Sequence, residues 1–222
     1  MLAILQIVFR GIVIIFFLVL AGFGMYNVLP ESIRIEVPFT SQAPGGVWTE
    51  PWQNACEEAS IIMIDNFYKG DMLTKEEARD EILSVFELKE SVIGTTKDES
   101  METVAQIINS SNLVWAAVVV NNPKIQHLKD ELAKGRPIIA PVYARVLDNP
   151  YYSGEGPDYH VVVMTGYDDV TGEFITHDPG TERGENFRYS YQKFYDAISD
   201  YLSSEEYGEG PKRVLFTRLK EN

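Results

Sequence analysis

The sequence predicts an α+β fold, on the basis of two patterns and the length of the chain. Helical patterns come first, and apolar strands joined by short turns follow in the second half, which is typical of a mostly antiparallel sheet. A chain of 222 residues is long enough to bury one full hydrophobic core. An apolar N-terminal segment predicts one transmembrane helix before this domain.

The individual elements follow from apolar spacing and from turn residues. Gly70 ends one helix in a C-cap position, and Thr74 with Glu77 forms a capping box that opens the next. Residues 168–171 form the turn of a hairpin. The predicted helices cover 54–69, 74–88, 101–108, 123–135 and 191–201, and the predicted strands cover 33–40, 113–120, 137–147, 159–167, 172–178 and 213–219.

The first thirty residues carry a single charge, Arg10, and no acid. The apolar run over 11–29 approaches the roughly 20 residues that a membrane-spanning helix needs. Arg10 on its N-terminal flank predicts a cytoplasmic N-terminus with the remainder outside. Residues 1–30 are therefore interpreted as a signal anchor, which places the protein in the cell membrane. A cleaved signal peptide, with a weak site over 21–24, is the alternative and would make the domain secreted.

The composition narrows the classes of partner. Lys and Arg number 19 against 33 Asp and Glu, which gives a formal charge of −14. The field of such a chain does not attract phosphate backbones, so we expect no nucleic-acid partner. One cysteine excludes an internal disulfide framework, and three histidines leave little material for a metal centre. We expect no cofactor and no metal.

The single cysteine, Cys56, lies at or near the start of a helix that is apolar on nearly all sides and is therefore expected to be buried. The helix macrodipole and the free N–H groups at a helix N-terminus favour a thiolate there. Small Ala59 and Ser60 lie on the same side as Cys56 and leave room for another element, whereas Glu58 points away. Cys56 is a candidate nucleophile, and an inert buried thiol is the alternative.

The hairpin over 159–178 supplies candidate partners for this thiol. Pairing Gly166 with Gly172 places His160 opposite Asp178 on one face of the sheet, and His177 on the other face. Directly opposed residues have Cβ atoms roughly 4.5–5.5 Å apart, so a carboxylate can hold an imidazole N–H. The inference depends on the register, because a one-residue slip exchanges the faces.

Cysteine, histidine and aspartate together support nucleophilic catalysis. A free thiol has a pKa of about 8.5, and an adjacent imidazolium lowers it. The thiolate attacks a carbonyl, the histidine returns a proton to the leaving amine, and the carboxylate fixes the imidazole tautomer.

Four short segments carry a family resemblance: VPFTSQ at 37–42, NACEEAS at 54–60, YHVVV at 159–163 and HDPG at 177–180. They resemble the peptidase domain of the bacteriocin-processing, double-glycine leader peptidase family and its stand-alone relatives, in the papain-like clan. The resemblance covers about residues 35–200. It implies a papain-like fold over 31–222, with the catalytic helix packed on the sheet. It also implies a thiol protease with Cys56 as nucleophile, His160 as base and Asp178 as orienting acid.

The resemblance also implies a glutamine, upstream of the cysteine, that donates to the oxyanion. Gln42 matches that motif, although it lies fourteen positions before Cys56, a spacing that requires an inserted loop. Gln53 is the alternative. A further departure follows the cysteine, where typical relatives have Gly-Pro and this chain has Glu57 and Glu58.

The predicted function is a membrane-anchored, extracytoplasmic cysteine peptidase that hydrolyses a peptide or protein substrate. One alternative keeps the triad but makes the protein a cell-wall peptide amidase or an acyl transferase. Another is a degenerate module that binds peptides without cleaving them. Aromatic residues in the loops beside the proposed nucleophile and base either line a substrate cleft or pack against the core; these are Trp48, Trp52, Tyr151 and Tyr152.

Overall fold

The computed structural model of the protein describes residues 29–203 and 205–221. Within Glu31–Asn222, which form one unit, the described helices are α1 (Cys56–Lys69), α2 (Lys75–Ile93), α3 (Met101–Ser110), α4 (Ile125–Leu132) and α5 (Tyr191–Ala197). The described strands are β1 (Ser32–Arg34), β2 (Trp115–Asn121), β3 (Ile138–Val142), β4 (His160–Asp168), β5 (Glu173–His177), β6 (Phe187–Ser190) and β7 (Arg213–Leu219).

The strands form one sheet in the order β2-β7-β3-β4-β5-β6, and β1 pairs with β4. All the pairings between these strands are antiparallel, so the predicted α+β class and the antiparallel sheet are confirmed. Strand β4 begins at His160 and pairs with three other strands, β1, β3 and β5. Along one edge it pairs first with β3, over 160–164, and then with β1, over 166–168.

Helix α1 is buried along most of its length, as its apolar sequence predicts. It ends at Gly70, which adopts the left-handed conformation (φ 76°) that a glycine tolerates at a helix C-cap. Helix α2 then begins with the predicted capping box, in which the Thr74 hydroxyl accepts from the Glu77 backbone and the Glu77 carboxylate accepts from Thr74. Helix α2 packs against α1, and its buried residues include Ala78, Ile82 and Val85.

Three strand predictions differ from the structure. The strand expected over 33–40 is only Ser32–Arg34, because β3 occupies the rest of that edge of β4. The strand expected over 137–147 ends at Val142 and continues as a 3₁₀ helix, Ala144–Leu147, since the Tyr143 N–H donates to the Ala197 carbonyl outside the sheet. The short strand β6 was not predicted, because the loop before it, over 178–186, has no apolar alternation.

The transmembrane helix predicted within residues 1–30 falls almost wholly on residues 1–28, outside the described part of the chain. Among residues 29–203 and 205–221, no helix has both the length and the apolar character that crossing a membrane requires.

Candidate active site

Cys56 is the first residue of α1 and follows a 3₁₀ turn, Trp52–Asn54. The thiol-bearing residue is 4% exposed. Behind it, the Ser60 hydroxyl bonds to the Cys56 carbonyl at 2.8 Å and reaches the Val161 carbonyl of β4 at 3.4 Å. Ala59 and Ser60 are both fully buried, so the small residues permit the close packing of α1 on the sheet that the sequence predicted.

The predicted hairpin register is wrong by two residues. Val163 pairs with His177 and Met164 with Thr176, so Asp178 lies diagonal to His160 rather than opposite it. Next to the turn the pairing is displaced by three residues, since Asp168 pairs with Glu173, and a β-bulge between Met164 and Gly166 reduces the displacement to two at the site. A shift of two residues keeps each side chain on its face, so His160 and Asp178 still share one face and His177 occupies the other.

The His160 and Asp178 side chains are in direct contact. The imidazole Nε2 lies 2.8 Å from the Asp178 Oδ1, and both residues are almost fully buried. Because an ionised carboxylate only accepts hydrogen bonds, Nε2 carries the proton and Nδ1 is left as the basic nitrogen. The contact therefore selects the tautomer that general-base chemistry needs.

Asp178 is held by further donors that sequence analysis did not identify. Its Oδ2 accepts from the Tyr152 hydroxyl at 2.5 Å, the Tyr189 hydroxyl at 2.7 Å and the Asn149 amide at 3.2 Å. Burial acts to raise the pKa of Asp178, but His160 and these hydroxyls stabilise the anion, and the net pKa is lowered. Tyr152 was singled out as a cleft aromatic, whereas Tyr189 lies on the strand that was not predicted.

The turn after Asp178 needs its glycines. A Cβ on Gly180 would lie 2.9 Å from two ring atoms of His160, and a Cβ on Gly184 would lie 1.8 Å from the Asp178 carbonyl oxygen. The Gly180 N–H also donates to the Asp178 Oδ1 at 3.0 Å. The HDPG segment thus lets the backbone pass close to the imidazole without displacing it.

Cys56 and His160 line the same cavity, of about 710 Å³. Gln42, Gln53 and Asp98 line it too, together with Trp48, Tyr151 and Tyr152. Trp52 instead packs against the hydrophobic core. Three of the four aromatic residues therefore face the cavity, and one of these three, Tyr152, also packs against the core.

The two candidate glutamines make different contacts in this cavity. The Gln42 amide nitrogen donates to the carbonyls of Trp52 and Gln53, at 3.0 and 2.8 Å, so both of its hydrogens hold the turn that leads into Cys56. Its Oε1 is buried, with no hydrogen-bond partner in the described structure. The Gln53 side chain donates to the exposed Glu50 carboxylate. Gln42 thus fixes the approach to the helix N-terminus.

The two glutamates after Cys56 are buried and share one cation. The Lys89 ammonium, 3% exposed, contacts Glu57 and lies 3.0 Å from the Glu58 Oε1. Glu57 also accepts from the Glu99 backbone N–H and the Tyr159 hydroxyl. Burial raises the pKa of Glu58 to about 7. Burial alone would lower the pKa of Lys89, but the negative charges of Glu57 and Glu58 have the larger effect, and the pKa of Lys89 is raised.

Lys89 was missed by sequence reasoning, although a signal was present. It continues the buried stripe of α2 formed by Ala78, Ile82 and Val85, at helical spacing. A lysine on such a stripe requires an acidic partner inside the protein, and α1 offers two adjacent glutamates.

The surroundings of Cys56 favour the neutral thiol over the thiolate. Burial raises its pKa well above the ordinary value, and the negative charges of Asp98, Glu57 and Glu58 add to the effect. A hydrogen bond with the Val161 backbone lowers it, but does not compensate. The sequence predicted that the helix N-terminus favours the thiolate; the surrounding carboxylates and the loss of solvent outweigh that dipole.

The other two histidines lie away from this chemistry. His177 bonds to the Val37 carbonyl and the Asn186 N–H, which fixes the segment before Gln42 against β5. Burial lowers the pKa of His177. His127 is exposed and accepts from the Lys124 N–H.

Comparison with known proteins gives a family and a fold. A family model described as "Peptidase_C39 like family" matches residues 34–207. A solved protein from Bacillus anthracis, described as a C39-like peptidase, is 15% identical with a TM-score of 0.52, over 85% of this chain and 98% of that chain. Xylellain, a cysteine protease from Xylella fastidiosa, is 17% identical with a TM-score of 0.43, over 85% and 86% of the two chains. No curated protein matches.

Replacing Lys89 tests the buried charge cluster. Lys89→Met leaves two buried carboxylates without their cation, and we expect the free energy of unfolding to fall by about 3–5 kcal/mol at pH 8. The pKa of Glu58 is already raised, so its proton is retained in the folded state below about pH 7. Protonation offsets the lost cation at low pH, and the deficit should be smaller at pH 5, as measured by urea unfolding.

The matched control for this variant adds Glu57→Gln and Glu58→Gln to Lys89→Met. Removing all three charges together eliminates the unpaired carboxylates and should restore most of the lost stability. A triple variant as unstable as Lys89→Met at pH 8 would contradict the electrostatic explanation and favour lost packing of the lysine stem.

Removing one donor tests how Asp178 is held. Tyr189→Phe deletes a hydroxyl that donates to the buried carboxylate and accepts from Asn149 at 2.8 Å. We expect a loss of about 1.5–3 kcal/mol in unfolding free energy, since a hydrogen bond to a buried charge is removed. Tyr191→Phe is the control, because that hydroxyl donates to an exposed carboxylate, Asp169, and should change stability by less than about 0.5 kcal/mol. Equal losses of unfolding free energy in the two variants would contradict the role of the Tyr189 hydroxyl in stabilising the buried carboxylate.

Proposed function

The chain belongs to the Peptidase_C39 like family and is a cysteine-type peptidase; from this premise we propose that it hydrolyses peptide bonds through a triad of Cys56, His160 and Asp178. One observation carries the proposal. The histidine held by a buried carboxylate and the single cysteine, at a helix N-terminus, line one cavity.

In the proposed mechanism, the neutral thiol of Cys56 gives its proton to the imidazole as the substrate binds. The accepting atom is Nδ1 of His160, since Nε2 is engaged with Asp178. The sulfur then attacks the carbonyl carbon, the imidazolium protonates the leaving amine, and a thioester remains on the cysteine. Water, deprotonated by the same imidazole, cleaves the thioester and releases the acid product.

We propose that the oxyanion is bound at the N-terminus of α1, with Gln42 beside it. N–H groups at a helix start have no partner within the helix, and the macrodipole favours negative charge there. The Gln42 amide can join only by exchanging one of its two bonds to the carbonyls of Trp52 and Gln53. Gln42 thus serves mainly to hold the turn that aims the helix N-terminus.

We propose that the domain is tethered to a membrane and faces outward. The support is the apolar run of residues 11–29, preceded by Arg10. An extracytoplasmic site would act on peptides or proteins at the cell surface.

Replacing the proposed nucleophile tests the reaction. Cys56→Ala should lower kcat/KM on unstructured polypeptide by more than about 10⁴-fold, because no other group replaces the sulfur. The folded state should lose only about 1 kcal/mol, since the side chain shrinks by one atom. Peptide hydrolysis and urea unfolding measure the two effects, and an active-site-directed epoxide should label the parent protein but not the variant.

His160→Ala should abolish hydrolysis in the same assay, and His127→Ala is the matched control because that histidine is exposed. Undiminished turnover by Cys56→Ala would refute the mechanism. Undiminished turnover by His160→Ala, with Cys56→Ala inactive, would show that a different base serves the thiol.

Fractionation tests the tether. The full chain should remain with membranes after extraction at alkaline pH, because about 20 apolar residues insert stably. External protease should remove the domain from intact cells. A chain that starts at Glu31 should be released by the same extraction, and recovery of the full chain in the released fraction would contradict the anchor.

A further inference from the structure

We propose that a second cavity beside Cys56 binds a cationic side chain of the substrate, so that the enzyme prefers peptides with Lys or Arg near the scissile bond. This inference rests on the proposed function and names the class of substrate that the site would take. Three observations support it: the position of the cavity, an unpaired carboxylate in its wall and a pair of aromatic rings.

The second cavity, of about 530 Å³, continues the first. Asp98 and Asn54 line both cavities. Asn54 is two residues before the proposed nucleophile, and the charge of Asp98 contributes to the raised pKa of Cys56. A peptide held for attack by the sulfur can therefore place a neighbouring side chain in the second cavity.

Asp98 is the carboxylate in the wall of the second cavity that lacks a partner in the described part of the chain. Among residues 29–203 and 205–221, it has no hydrogen-bond or ion-pair partner, whereas Glu57 is held by Lys89 and Glu50 accepts from the amides of Gln53 and Asn54. Burial and the charge of Glu57 raise the pKa of Asp98 to about 6, so it is ionised at neutral pH. A partly buried anion without a partner favours a cationic ligand.

Aromatic rings complete the wall. Tyr201 and Tyr207 line the cavity with ring centroids 6.0 Å apart. Burial, followed by the negative charge of Asp98, raises the pKa of both hydroxyls, which shows that the carboxylate acts on both rings. Tyrosine faces attract ammonium and guanidinium groups, and Phe86 supplies apolar surface for the methylene stem.

The formal charge of −14 also draws cationic peptides to the protein as a whole. That general attraction does not select the position of a lysine within the peptide, whereas a pocket does. Lys97 lies on the exposed edge of the same cavity and opposes a cationic ligand, so its removal should strengthen the preference.

A peptide series tests the pocket. Each peptide carries lysine at one position on either side of the scissile bond, and its partner carries norleucine there, which keeps the stem and removes the charge. At one position we expect kcat/KM for the lysine peptide to exceed that for the norleucine peptide by about 10-fold at pH 7.5. Asp98→Asn should bring this ratio close to one, and Lys97→Met should increase it.

Asp71→Asn is the matched control, because it removes one negative charge from an exposed loop and should leave the ratio unchanged. The ratio should also fall at pH 5, since Asp98 is then largely protonated. The charged groups that act on Asp98 are Glu57, Lys89, His160 and Glu50, and Asp98→Asn shows which part of the pH effect belongs to Asp98 itself.

Each outcome has one meaning. Cleavage that depends on Cys56 but shows no lysine preference, or a preference that Asp98→Asn and Asp71→Asn reduce equally, overturns the pocket and leaves the peptidase standing. Absence of hydrolysis for every peptide, with no labelling of Cys56 by the epoxide, overturns the proposed function instead.

Discussion

The contact between the Asp178 carboxylate and the His160 imidazole is the constraint on which the site depends. A fully buried anion must be satisfied inside the protein, and here five donors supply the bonds. They come from β4, from β6, from the loop before β4 and from the turn after β5. These segments meet only in the folded domain. The Asp178 carboxylate therefore connects them through hydrogen bonds and also orients the His160 imidazole.

The carboxylates buried next to Cys56 disfavour the charged form of its thiol. Two buried glutamates and the nearby Asp98 oppose thiolate formation, and a single buried ammonium pairs with the two glutamates. The site therefore favours the neutral thiol, which is less prone to oxidation than a thiolate. In the proposed mechanism, the imidazole receives the thiol proton only when the substrate binds.

Local sequence signals predicted the elements better than their pairing. The capping box at Thr74 and the strand Arg213–Leu219 are where the pattern placed them, because each depends on neighbouring residues alone. The hairpin register was wrong because the strands pair from Asp168 and Glu173 next to the turn, and a bulge that a turn sequence does not encode then shifts the pairing by one residue. His160 and Asp178 nevertheless meet, since a two-residue shift preserves the face. The donors Tyr189 and Asn149 and the cation Lys89 are brought in by tertiary contacts from other segments.

The shared ammonium between α1 and α2 has a consequence for how this site can diverge. Loss of Lys89 alone leaves two buried carboxylates without a cation, and loss of both glutamates alone leaves a buried ammonium without an anion. Variants that have lost only the lysine or only the glutamates are therefore less stable than the chain with all three charged residues or the chain with none of them. Positions 57, 58 and 89 should consequently change together when the site diverges.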